Sequence, residues 1–204
     1  MNLNKKKFPI YLLSLYAFVF LWSVINPHHF FTWILEVMPV LLGVPILFLT
    51  YKKFPLTPLL YFLIFIHAII LTIGAHYTYA HVPLFDWVKE IFHFDRNHYD
   101  RLGHFAQGFI PAILTREILL RTSPLKPGKW LFFLVCSVCL AFSAFYEFIE
   151  WWVALLTGTA AEAFLGTQGD IWDTQWDMFL ALLGAISALI FLSKIHDKQL
   201  KTIK

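Results

Sequence analysis

Residues 169–192, GDIWDTQWDMFLALLGAISALIFL, place Asp170, Asp173 and Asp177 at the entrance to an almost wholly apolar run, Phe179 to Leu192. A run of that kind reads as a membrane-spanning helix, because about 20 apolar residues at roughly 1.5 Å each cross the hydrocarbon layer. Three carboxylates at its mouth ask for a reason.

Five further stretches have the same character: Phe8 to Ile25, Phe31 to Tyr51, Pro58 to Tyr77, Leu102 to Leu120, and Trp130 to Trp152 or on to Leu156. None alternates with period two, so the backbone satisfies its own hydrogen bonds as helices rather than as a barrel. Of 204 residues, 59% are hydrophobic and only 14% charged, which excludes an ordinary soluble domain. The expected fold is all-α: one polytopic domain over residues 1–204, a bundle of six transmembrane helices. The basic, apolar N-terminus has no small-x-small cleavage site after it and reads as an uncleaved anchor.

Basic residues in short loops stay cytoplasmic. With six spans, Lys5, Lys6, Lys7, Lys52, Lys53, Arg116, Arg121, Lys126, Lys129, Lys194, Lys198, Lys201 and Lys204 fall on one side, and only Lys89, Arg96 and Arg101 on the other. Both termini are therefore expected in the cytoplasm. The long outer connection from Thr78 to Arg101 contains FDWVKEIFHF, expected as an interfacial amphipathic helix, and Trp87, Trp151, Trp152, Trp172 and Trp176 form a belt at the same level. A net charge of +3 is too slight for a nucleic-acid partner. Cys136 and Cys139 lie inside an apolar run and read as packing thiols rather than a disulfide or redox pair.

Polar residues gather at the outer ends of several spans. Asp100, His104 and Gln107 point within about 60° of one another on a helix. Glu147 and Glu150 lie one turn apart on the fifth span, Asp170, Asp173 and Asp177 share a face entering the sixth, and His76 closes the third. An ionised carboxylate at the centre of a spanning helix costs about 2.5–3.5 kcal/mol, less toward the interface. A divalent cation offsets that cost, and mixed oxygen and imidazole ligation suits Zn, Mn or Fe, whereas carboxylates alone suit Mg. In this reading His104, Glu147, Asp170, Asp173 and Asp177 are the metal ligands, Asp100 and Glu150 the catalytic bases, and His76 and Gln107 further polar members.

Blander readings compete. Asp170 and Asp173 also suit a helix N-terminus as solvated carboxylates, and Glu147 has Arg101 or His104 as structural partners. His67 reads as a packing residue, and Arg116 and Glu117 as snorkelling interface charges. Sharper motifs fail: EIFH at Glu90 and His93 is a single Glu-x-x-His where a di-iron bundle needs two, and HxxxH, HExxH, a nucleophile elbow and the DGxxAR half of a headgroup transferase are absent.

The strings DRLGHFAQGFIPAILTREIL, SAFYEFIEWW and GTQGDIWDTQWDMFLALLGA, in that order, resemble the YjdF-like family of bacterial inner-membrane proteins over nearly the whole chain. The resemblance implies a small multi-span protein of the bacterial inner membrane and carries no activity. A fainter likeness, an Asp-x-x-x-His opening one span and a late Asp before a glycine-bearing helix, is similar to VanZ-like proteins at the level of pattern. Three functions are then in contention: a metal-dependent enzyme on a lipid or lipid-linked substrate at the outer leaflet; a proton- or cation-coupled transporter, for which six spans without an inverted repeat would need a homo-oligomer; and a noncatalytic envelope protein.

Overall fold

The computed structural model describes residues 3–158 and 162–203. Eight helices follow in order, and no strand occurs among the described residues: α1 (Leu3–Val24), α2 (Phe30–Thr50), α3 (Pro58–His76), α4 (Pro83–Phe92), α5 (Tyr99–Thr122), α6 (Lys129–Thr157), α7 (Glu162–Leu165) and α8 (Asp173–Leu200). Local sequence sets several boundaries. Pro58 and Pro83 open helices where a missing N–H costs nothing, and the Thr57 hydroxyl accepts from Leu60 N. α4 stops as His93 turns left-handed, at φ 53°. Residues 159–161 of the expected outer loop lie outside the described residues.

Five of these helices, α1, α2, α3, α6 and α8, are long and apolar enough to cross a membrane. The expected fourth span, α5, has the length at 24 residues but not the composition, since Asp100, Arg101, His104, Arg116, Glu117 and Arg121 lie on it. Its position accounts for this. α5 packs against α8, α6 and α3, whereas α1 reaches the bundle through α3, and α2 through α3 and α7. A helix enclosed by three others can turn charges toward protein instead of lipid.

Small residues let α5 and α8 touch backbone to backbone. The buried stripe of α8 runs Asp173, Asp177, Ala181, Gly184 and Ala188, at spacings of three and four, with Ala185 beside it. A Cβ on Gly108 would overlap the Ala181 carbonyl oxygen, and one on Gly184 the Phe105 carbonyl oxygen, so each helix seats the other at a glycine. α6 presents its own stripe, Leu131, Val135, Cys139, Ser143, Glu147 and Glu150, apolar at one end and acidic at the other. Leu60, Ile113, Leu131, Val135, Ala185 and Leu189 form the main apolar core, and Cys136 and Cys139 sit in it as free thiols. Phe18, Phe48, Leu49, Phe142 and Phe191 face outward, as lipid-facing positions do.

The two ends of the bundle differ. Phe8, Tyr51, Pro58 and Ile203 line one small cleft, so the start of α1, the end of α2, the start of α3 and the C-terminal residues share an end. There Arg116 and Glu117 do not snorkel: they are 3% and 0% exposed. Arg116 Nη1 lies 2.8 Å from His196 Nδ1 and donates there, since guanidinium nitrogens cannot accept. The imidazole proton is therefore on Nε2, 2.9 Å from Glu117 Oε2. Glu117 also accepts from Thr57 N, Thr57 Oγ1 and Arg121, while Arg116 pairs with Asp197 at 2.7 Å. This network joins α3, α5 and α8, and its carboxylate is fully partnered.

Candidate functional site

At the opposite end the chain gathers a different set. α5 supplies Asp100 and His104 from its first two turns, α8 supplies Asp173 and Asp177 from its first two, α6 supplies Glu147 and Glu150, and α2 supplies Glu36. Every one of these is at most 9% exposed. Because Asp177 and Ala181 lie on one stripe, the glycine contacts that bring α5 and α8 together also bring Asp177 to His104.

His104 is the hub. Its Nε2 is 3.5 Å from Asp100 Oδ1 and 3.8 Å from Asp177 Oδ2. Asp100, His104 and Asp177 each present a ligating atom within 4.8 Å of the others, and so do His104, Glu147 and Glu150. Thr174 lies beside Glu147, and Tyr146 beside Glu36. Several buried ligating atoms have no partner, among them Glu147 Oε1, Asp177 Oδ1 and His104 Nδ1. A buried group left without a partner loses about 1–3 kcal/mol, more if charged.

Arginines take the remaining acids. Arg96, 5% exposed, makes a short bond to Asp173, lies 3.3 Å from Asp100 Oδ2 and 3.6 Å from Asp170 Oδ2, and donates to the Gly166 carbonyl. Arg101 pairs with Asp170 at 2.8 Å and stacks over Trp176, which leaves it no role as the partner of Glu147. The Trp172 backbone N–H donates to Asp170, and with Arg101 and Arg96 nearby it holds that carboxyl below the ordinary range against partial desolvation. Gln168 closes the arrangement, accepting from Asn97 N and donating to Asn97 O, both at 2.9 Å, so residues 166–173 are tied to the start of α5.

Of the residues expected to form a site, Asp100, His104, Glu147, Glu150 and Asp177 converge. Asp170 and Asp173 stand at its margin on arginines. His76 is turned to α1, with Nδ1 3.0 Å from the Ser23 carbonyl and its ring against Trp22, and Gln107 is half-buried further along α5, in neither ligand group. Sequence reasoning missed Glu36, although a lone carboxylate in the apolar run FFTWILEVMPVLL was the signal for it. It also missed Arg96 as the counter-ion, which nothing in a loop position announces.

Electrostatics limits what the pocket can be. Among the described residues, six buried carboxyl groups, Glu36, Asp100, Glu147, Glu150, Asp173 and Asp177, lie in the pocket or at its margin with one buried guanidinium, Arg96, and one imidazole, His104. Like charges about 4 Å apart repel by roughly 4 kcal/mol at an effective dielectric constant of about 20. Such a set holds bound cations or protons, not six free negative charges.

Comparison with known proteins agrees with this architecture. Residues 8–198 match the family described as "Predicted membrane protein (DUF2238)". The chain is 53% identical over 183 residues, 90% of its length and 88% of the relative's, to the inner membrane protein YjdF of Escherichia coli strain K12. No solved structure matches it. The chain, an all-helical bundle with an outward apolar belt, matched along almost its whole length, is therefore an inner-membrane protein of the DUF2238 family, similar to YjdF.

Proposed function

We propose that the chain is a divalent-cation-dependent enzyme acting on a lipid or lipid-linked substrate at the outer leaflet. The observation that carries this is the set of buried, partnerless ligating atoms on Glu147, Asp177 and His104 within one acidic pocket. Zn, Mn, Fe or Mg suits a donor set of carboxylate oxygens and one imidazole. A pocket carboxylate that stays off the cation would then serve as general base toward water.

The placement rests on six spans, with α5 counted beside the five that are long and apolar enough to cross. Enclosure of its charged face by α3, α6 and α8 supports that count, and α4, exposing Leu84, Trp87, Ile91 and Phe92, suits the interface. The basic bias then sets the termini in the cytoplasm and the pocket at the outer surface. A coupled transporter is less well supported, because the apolar core of Leu60, Ile113 and Val135 separates this pocket from the Glu117–His196 network.

Protein purified in detergent without chelator is expected to carry bound divalent metal by elemental analysis, and His104→Ala to carry less than a tenth as much. Incubated with inner-membrane lipid extract, the wild type is expected to convert a lipid species detectable by mass spectrometry, and EDTA to stop it. Metal-free protein whose lipid products and melting temperature ignore EDTA would contradict the proposal.

A further inference from the structure

We infer that the pocket holds two divalent cations side by side, one at Asp100, His104 and Asp177, the other at Glu147 and Glu150. This rests on the reading above that the pocket binds a cation at all.

Two geometric facts point to a pair. The ligand groups are separate triads that share only His104. Its Nε2 is turned to Asp100 and Asp177, and a single imidazole nitrogen serves one metal, so the first ion takes it. Glu147 and Glu150, one turn apart on α6, then form the second half, with Glu36 from α2 close enough to act electrostatically on Glu150. The partnerless atoms fall in both halves: Asp177 Oδ1 in the first and Glu147 Oε1 in the second. Two-metal centres place their ions about 3.5–4 Å apart, which suits triads with a common member.

Charge points the same way. With the six carboxyls ionised and the imidazole neutral, Arg96 leaves the enclosed charge at minus five. One dication brings it to minus three, still a strong excess for a buried site, whereas two bring it to minus one. Arg96 is already committed to Asp173 and Asp100, and among the described residues no further guanidinium is buried within the pocket.

Manganese is a suitable probe, because coupled and isolated ions differ in their spin-resonance spectra. Detergent-purified full-length protein, stripped with EDTA and equilibrated with Mn²⁺, is expected to bind two ions per chain and to show a broadened, spin-coupled spectrum. Glu147→Gln with Glu150→Gln is expected to bind one ion and show the simple six-line spectrum, and Asp177→Asn likewise to lose one of the two. One ion per chain in the wild type, with an isolated-ion spectrum, overturns the pair while leaving the single-cation reading intact. No bound ion overturns both. The wild-type stoichiometry decides the matter even where a variant fails to fold.

Discussion

Gly108→Val is expected to abolish the stable bundle, giving aggregated material on size exclusion where the wild type gives a single species. At this point α5 and α8 meet with no side chain between them. Even a methyl group would enter the Ala181 carbonyl oxygen, and backbone cannot rotate away as a flexible side chain can. Overpacking costs about 1–3 kcal/mol where side chains yield, so Gly108→Ala is expected at or above the upper end of that range. A loss of 3 kcal/mol lowers the melting midpoint by roughly 6–12 °C for a chain of this length. Gly184→Ala, meeting the Phe105 carbonyl from the other helix, is expected to match it. The same wedge displaces Asp177 from His104, so folded Gly108→Ala should also retain less metal. A valine variant that melted with the wild type would show that the helices do not meet here.

Glu117→Ala carries the second large effect. The carboxylate is wholly buried and accepts from Thr57, His196 and Arg121, across three helices. Removing one member of a buried ionic network costs about 3–5 kcal/mol, because the remaining charge stays buried without compensation. Thr57 N and the His196 Nε2 proton lose their acceptor as well. Glu117→Gln keeps the shape and one acceptor oxygen, so it is expected to lose less than Glu117→Ala. Both are read as melting midpoints in detergent. Because the apolar core separates this network from the acidic pocket, metal retention in folded Glu117→Gln should equal that of the wild type. An alanine variant with an unchanged midpoint would refute the network's structural role.

Much of the architecture was legible in the apolar runs, and the departures have physical reasons. The last apolar run reads from Phe179 to Leu192, whereas α8 extends from Asp173 to Leu200. Hydropathy marks where lipid contact ends, not where intrahelical hydrogen bonding does, and Asp173, Lys194 and Lys198 remain helical beyond the apolar run. α5 is the harder case. Its composition alone fails as a span, and only enclosure by three neighbours explains why its charges are tolerated. The convergence of Asp100, His104, Glu147, Glu150 and Asp177 was foreseeable because helix periodicity and depth along each span are one-dimensional quantities. Pairing is not one-dimensional. That Arg96 would take Asp173, that Gln168 would clasp Asn97, or that His196 would lie beneath Glu117 depends on how helices distant in sequence rotate about their axes. Arg116 and Glu117 were misread for the same reason: their depth was apparent, but the helices covering them were not.

The central claim is that carboxylates from separate helices meet around His104 to hold metal. The most direct measurement is the anomalous difference density of Mn²⁺-loaded crystals of the full-length protein, collected above and below the manganese edge. The account predicts peaks among Asp100, His104 and Asp177, within coordination distance of their oxygen and nitrogen atoms, and beside Glu147 and Glu150. Carboxylates turned into separate crevices with no peak near His104, in crystals that bind manganese elsewhere or nowhere, would contradict it.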